Sequence, residues 1–400
     1  MDVAPILYNE FPLFLKRYFP YKVQKISLNA GFTCPNRDGV KGYGGCTYCN
    51  NQTFNPEYCR TEKSVTQQLE EGKVFFAHKY PEMKYLAYFQ AYTNTYGELE
   101  ALKRKYEEAL SVSDVVGLVI GTRPDCMPDT LLHYLEEVNK NTFLLVEYGI
   151  ESTHDATLCR INRGHTFQDT VDAVERTVAC GILTGGHVIL GLPGETDEDI
   201  AAIAELANDI AATYFELPKE ERQGRPEITA STSFFVPKPF TPFQWAPMGT
   251  AEYFDEKWRF LTGKVREQIN QRSIRYICHD AVTSELEGIF ARGDRRLSDV
   301  IEKAYQKGCI FDAWTDYFRP DVWNELLDEC GVDRDFYNYR ERNEDEIFPW
   351  DFIDIGVSKQ FLRREYENAK QGKVTPNCKQ KCSGCGAASF HAGICMMDRT

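Results

Sequence analysis

Six short, apolar, β-branched runs recur along the chain with helical patterns between them, and this alternation restricts the fold more than any single motif. The runs are Val23 to Leu28, Tyr85 to Ala91, Val115 to Ile120, Phe143 to Ile150, His187 to Leu192 and Ile228 to Val236. Helical periodicity fills Ser64 to His78, Glu98 to Leu110, Pro128 to Asn139, Thr166 to Cys180 and Thr196 to Tyr214. Strands separated by helices of this length do not pair through tight hairpins. They build right-handed βαβ units around a parallel sheet. In parallel barrels the functional side chains gather at the C-terminal ends of the strands.

The end of the first run is where the most specific motif lies. Cys34, Cys46 and Cys49 stand with eleven and then two residues between them, and Tyr48 directly precedes the last. Three thiolates on an iron–sulfur cluster leave one iron without a protein ligand, open to a substrate or cofactor. Cys-x-x-Cys is also a zinc spacing and Cys59 is available as a fourth ligand, so a structural zinc knuckle is the competing reading of these residues.

The surrounding text, Asn29-Ala-Gly-Phe-Thr-Cys34-Pro-Asn-Arg-Asp-Gly39 and Gly44-Gly-Cys46-Thr-Tyr48-Cys49-Asn, resembles the cluster loop of radical S-adenosylmethionine (radical SAM) enzymes. In particular it is similar to the YhcC-like branch, with its eleven-residue gap. The resemblance implies an α/β fold with an open six-stranded (β/α)6 partial barrel and a 4Fe-4S cluster on Cys34, Cys46 and Cys49. It implies S-adenosylmethionine chelated at the open iron and cleaved reductively to a 5'-deoxyadenosyl radical. An oxidoreductase or transferase of this kind needs an electron donor such as flavodoxin or ferredoxin.

The other strand ends supply further candidates. In Tyr88-Phe-Gln90-Ala-Tyr92-Thr-Asn94-Thr-Tyr96-Gly, Gln90 and Asn94 offer amide carbonyls to an ammonium, and the resemblance assigns them to the methionine amino group. The alternative is a polar loop that caps the helix near Glu98. Arg123, in Ile120-Gly-Thr122-Arg123-Pro-Asp125, can pair with a ligand carboxylate or with Asp125. By resemblance Glu151, Ser152 and Arg163 hold the cofactor's ribose and carboxylate, with Tyr48 beside the cluster. Gly191, in Gly186-His187-Val-Ile-Leu190-Gly191-Leu-Pro193-Gly194-Glu195-Thr196, lies against adenine in the same comparison. That turn can also start a helix capped by Thr196. His187 reads as a satisfied core histidine, with a catalytic base as the alternative.

Beyond Thr250 the pattern changes. Residues 251–310 read as helical, 311–349 as aromatic and acidic with helices, and 357–371 as a final helix. The expected organisation is a radical SAM partial barrel over 1–245, a mostly helical extension over 246–372 and a cysteine-rich tail over 373–400. In the tail Cys378, Cys382, Cys385 and Cys395 can close a second Fe-S cluster or a zinc site. Segments such as Ser233-Phe-Phe-Val-Pro237-Lys-Pro239 and Glu287 to Arg296 resemble a different radical SAM family, so the two halves resemble two branches. Lys238, Arg292, Arg295 and Arg296 can contact phosphate or form an ordinary solvated helix face, the reading favoured here. His279 and Asp280, after the strand-like run Ile274 to Cys278, are candidates for substrate handling.

Composition narrows the function. A net charge of -14 argues against a broad, sequence-independent affinity for nucleic acid, which needs clustered cations, and leaves room for one local basic surface. No apolar run approaches the roughly 18 residues of a membrane span. Fourteen cysteines without a signal peptide at Met1-Asp-Val-Ala-Pro favour a reducing cytoplasm and metal-ligating or free thiols. The expected function is a cytoplasmic radical SAM enzyme that abstracts hydrogen from a substrate. RNA comes first, by the distant kinship of the YhcC-like branch with RNA-modifying radical enzymes; a protein or small metabolite is the alternative. A non-catalytic metal-cluster interaction protein is the competing class, since fold does not settle function.

Overall fold

All six expected strands form, and a seventh follows them. They are β1 (Val23–Leu28), β2 (Lys84–Phe89), β3 (Val115–Thr122), β4 (Phe143–Glu151), β5 (Leu183–Leu190), β6 (Ile228–Phe234) and β7 (Ile274–Cys278), ordered β1 to β7 as in the sequence. β1 with β2, β2 with β3, β3 with β4, β5 with β6 and β6 with β7 all pair parallel. The fold is an open α/β sheet of seven strands rather than six, because Ile274–Cys278 pairs with β6 instead of ending in a loop. The computed structural model describes residues 14–42, 45–49, 56–77, 83–216, 218–220, 222, 226, 228–310, 312, 317–376 and 381–386. The chain divides into two compact units, residues 1–35, 51–150 and 165–186 in one and 36–50, 151–164 and 187–400 in the other.

In the first unit the two faces of the strands do different work. Ile26 and Leu28 are fully buried, and a Cβ added to Gly72 of helix Val65–Ala77 would stand 2.4 Å from Ile26 Cγ2. That helix therefore packs directly onto β1. Alternate residues Val23, Leu86 and Leu145, joined by Val119, Leu15 and Phe19, close an apolar cluster against the opposite face. Glycines mark the closest approaches. A Cβ on Gly117 of β3 would meet Phe143 O of β4 at 2.4 Å, and one on Gly186 would meet Ile150 Cδ1 at 2.5 Å. β5 starts at Leu183, ahead of the run that announced it, because Gly185 and Gly186 deprive its first half of an apolar signature.

One residue further along the same face the chemistry changes. Lys25 Nζ and Glu147 Oε1 form an ion pair at 2.5 Å, with side chains 20% and 8% exposed. Lys25 also sits 4.5 Å from the Tyr88 ring centroid. Burial first, and Glu147 second, hold the Tyr88 hydroxyl well above its ordinary range. Nothing in the sequence pattern distinguished these three residues.

The second unit carries β6, β7 and the helices that follow. Helices Ala281–Arg292, Leu297–Gln306 and Pro320–Glu329 pack through Leu286, Ile289, Val300, Ala304, Leu326 and Leu327. Arg292 is a correction to the solvated-face reading, because it is fully buried and donates from Nη1 to Ala246 O at 3.0 Å. It follows Ile289 by three residues and so lies on the inward face of its helix. Burial, then Arg342 and Arg340, lower its pKa to about 9. Lys238 is buried too and pairs with Glu287, whereas Arg295 and Arg296 are exposed, Arg296 bound to Asp294. Among the described residues no helix is long and apolar enough to cross a membrane.

Removing one partner of the inner ion pair strands the other. Lys25→Met is expected to cost about 3 to 5 kcal/mol in urea denaturation, by leaving the Glu147 carboxylate buried without its cation. The double substitution Lys25→Met with Glu147→Gln should recover most of that loss.

Candidate cluster and cofactor site

The cysteine loop is shaped by a turn more than a hundred residues downstream. In the second unit, helix Asp155–Arg160 ends in Asn162 at φ 53° and Gly164 at φ 73°, left-handed conformations that Asn and Gly tolerate best. Together they reverse the chain around Arg163. Asn36 Nδ2 donates to Asn162 O at 2.7 Å and Arg163 O at 2.9 Å, Thr47 N donates to Ile161 O at 3.0 Å, and Asn162 Nδ2 donates to Gly45 O at 3.1 Å. Gly45 N reaches back to Asn36 O at 2.9 Å, and Arg37 Nη2 holds Cys49 O at 2.8 Å. Contact is close enough that a Cβ on Gly164 would stand 2.6 Å from Asn36 Oδ1.

This turn delivers Arg163 to Cys46. Arg163 is buried, its Nη1 lies 3.5 Å from Cys46 Sγ, and its Nη2 lies 3.3 Å from Glu151 Oε1. Asn36 Nδ2 is 3.6 Å from the same sulfur. Burial opposes the Arg163 charge but is outweighed by the acidic groups around it, Tyr48, Glu151 and Cys46, so its pKa rises. Glu151, at the end of β4, adopts φ 69°, a strained choice for a residue with a side chain. The half-buried Tyr48 has its hydroxyl raised well above the usual range by burial, then by Glu151. Cys46, Tyr48, Glu151 and Arg163 thus form one cluster.

Two N–H groups directed at a sulfur suit a thiolate ligand, whose negative charge they stabilise. Among the described residues no three His, Cys, Asp or Glu side chains gather as ligands of one metal ion. An iron–sulfur cluster does not ask for that, because each thiolate binds a different iron. Cys34, in the first unit after β1, is buried, and Cys49 is half-buried. Cys59, the fourth ligand of the zinc alternative, is a buried thiol donating to Ser27 O at 3.5 Å, with burial pushing its pKa to about 12.

The remaining candidates fall into local arrangements. In the first unit Gln90 Oε1 accepts from Ser27 Oγ at 3.0 Å. Asn94 does not cap the helix beginning at Leu99: it is fully buried, donates from Nδ2 to Phe89 O at 3.0 Å and Gly121 O at 2.8 Å, and leaves Oδ1 without a hydrogen-bond partner. Arg123 is chelated by Asp125, Nε to Oδ1 at 2.9 Å and Nη2 to Oδ2 at 3.0 Å, the non-ligand alternative of its sequence reading.

In the second unit Ser152 Oγ accepts from His154 N at 3.2 Å. Gly191, at φ 80°, has no room for a side chain, since a Cβ would meet Phe254 Cε1 at 2.9 Å. Thr196 caps the helix beginning at Asp197, as expected, through reciprocal bonds with Asp199. His187 is exposed, a correction to the core reading; glycines before it on β5 give it no apolar shell. Asp280 caps helix Ala281–Arg292 through Thr283 N at 2.7 Å, and His279 Nδ1 pairs with Ser284 Oγ at 3.2 Å. In the tail Cys382 is exposed and Cys385 is buried, while Cys378 and Cys395 lie outside the described residues.

Asn36, Asn162 and Glu195 are site residues that sequence reasoning missed. The left-handed Asn-x-Gly at 162–164 was the available signal for the turn. Glu195 Oε2 accepts from Gly191 N at 2.6 Å and Leu192 N at 3.3 Å, closing the glycine turn on itself.

Gly164→Ala should cost about 1 to 3 kcal/mol in denaturant unfolding, from a forced left-handed alanine and a clash with Asn36. Glu195 gives a pH signature. Burial raises its carboxyl to about 7, against the hydrogen bond from Gly191 N. The folded state therefore holds the proton more tightly than the unfolded one, so this contribution is complete below about pH 4.5 and is lost as pH climbs to about 7. Over that interval wild type should weaken relative to Glu195→Gln by ~3 kcal/mol, then run parallel, as measured by unfolding at a series of pH values.

A sequence model of the Radical SAM superfamily matches residues 32–207, a span that includes the cysteine loop and the Gly191 turn. YtqA of Bacillus subtilis (strain 168) is 40% identical over 205 residues, 51% of this chain and 63% of its own length. YhcC of Escherichia coli (strain K12) is 42% identical over 191 residues, 47% of this chain and 60% of its own length. The chain therefore spans about 60% of the length of the curated relatives it matches. Among solved structures, the archaeal Methanocaldococcus infernus Elp3 with N-terminus deletion (1-46) is similar at a TM-score of 0.43 and 15% identity, over 72% of this chain and 68% of that one. Residues 32–207 are thus the part of the chain that is similar to the Radical SAM superfamily.

Proposed function

We propose that the protein is a radical SAM enzyme that abstracts a hydrogen atom from its substrate. The observation that carries this reading is the Cys46 sulfur under the N–H groups of Arg163 and Asn36, inside a cysteine loop of superfamily type. When bound, a 4Fe-4S cluster and S-adenosylmethionine supply the one-electron cleavage that yields a 5'-deoxyadenosyl radical. Cys34, Cys46 and Cys49 would ligate the cluster, with Tyr48 covering it. Gln90 and Asn94 would turn amide carbonyls to the cofactor's amino group, the Asn94 Oδ1 being the one left without a partner. Glu151, Ser152 and Arg163 would stand at its ribose and carboxylate and Gly191 at its adenine, while Arg123, locked on Asp125, would hold the end of β3 in place.

The proposal places the enzyme in a reducing cytoplasm with a low-potential one-electron donor of the flavodoxin or ferredoxin kind. Cys378, Cys382, Cys385 and Cys395 would take a second Fe-S cluster or zinc. RNA is the first substrate class to test. Its phosphates would not be read by Lys238 and Arg292, which are buried.

After anaerobic reconstitution with iron and sulfide, wild type plus dithionite should form 5'-deoxyadenosine from S-adenosylmethionine, and Cys49→Ala should abolish it. A wild-type protein that loads zinc, and forms none, sinks the reading. Total tRNA should raise the wild-type rate; an unchanged rate would move the substrate to a protein or a small metabolite.

A further inference from the structure

Arg163 is placed where its charge reaches the Cys46 sulfur. Its guanidinium lies between one ligand sulfur and one carboxylate, 3.5 Å from Cys46 Sγ and 3.3 Å from Glu151 Oε1. Both side chains of the ion pair are largely buried, at 8% and 12% exposure, so solvent screens this arrangement weakly. The turn that positions Arg163 is over-determined by Asn36, Gly45, Thr47 and Asn162, all of which bond across it.

A cluster on three thiolates gains one negative charge when it accepts an electron. A fixed cation against a ligand sulfur stabilises the reduced form, and a fixed anion destabilises it. Arg163 and Glu151 therefore push in opposite directions. The Asn36 amide has only two hydrogens, and the Asn162 and Arg163 carbonyls take the short bonds, so its contact with the sulfur is the weaker of the two.

We infer that Arg163 and Glu151 form an opposed pair that sets the reduction potential of the cluster through Cys46, Arg163 raising it and Glu151 holding it down. The inference deepens the radical SAM reading and rests on it. The step is the entry of one electron from an external low-potential donor into the oxidised cluster. No bond is made or broken at Arg163, whose proton stays in place.

The test is an anaerobic potentiometric titration of the reconstituted full chain, with the reduced cluster read by electron paramagnetic resonance. Arg163→Met should lower the reduced-to-oxidised ratio at a fixed potential by about tenfold, which for one electron is about 59 mV. Glu151→Gln should raise the ratio. Shifts of opposite sign are a result that a merely structural role would not give. Equal ratios in all three proteins, or shifts of the same sign, would overturn the inference, provided each carries the wild-type iron content. Should Arg163→Met fail to load iron, Arg163→Lys keeps the charge near the sulfur and is expected to titrate near wild type; a drop as large as predicted for the neutral variant would refute the charge argument. A wild type that takes up no iron fails the radical SAM reading itself, before the pair is tested.

Discussion

The hydrogen bonds from Asn36 to the carbonyls of Asn162 and Arg163 are the constraint on which the candidate site depends. They tie a cysteine loop with little regular structure to a turn that regular structure does control, since that turn closes helix Asp155–Arg160. A loop that presents side chains in fixed positions needs such an external frame, because short irregular segments do not hold side chains in place by their own backbone bonding. The frame has no slack. Gly164 leaves no room for a Cβ, and Asn162 is among the few non-glycine residues at positive φ.

Buried charge is the second theme, and the molecule handles it in different ways. Lys25 with Glu147 and Arg123 with Asp125 are closed pairs. Arg163 is shared between a carboxylate and a thiol sulfur, so its charge is available to whatever that sulfur binds. Arg292 relies on carbonyl oxygens, and burial depresses its pKa accordingly. Ion pairs of this kind seldom repay their desolvation in stability, which makes their positions on strand ends and beside the Cys46 sulfur more telling about function than about folding.

Much of the fold was legible because its signals are local. β1, β3, β4 and β6 lie close to the apolar runs that announced them, and the helices between them match their periodicity. The errors have local causes as well. Glycines hid the first half of β5 and removed the shell that would have buried His187, and charge alone does not reveal that Arg292 shares an inward face with Ile289. The cysteine spacing was readable for the same reason that strands are: its members lie close together in the chain.

Sequence by itself determined that this is a parallel α/β chain with a three-cysteine loop, one that resembles the cluster loop of radical SAM enzymes, since spacing, periodicity and glycine placement are properties of neighbouring residues. Only the tertiary structure decided which groups touch the sulfur. Asn36 and Arg163 are separated by 127 positions, and Lys25 and Glu147 by 122. Such pairings arise when strands and turns far apart in the chain pack together, and no local pattern encodes which buried charge will find which partner.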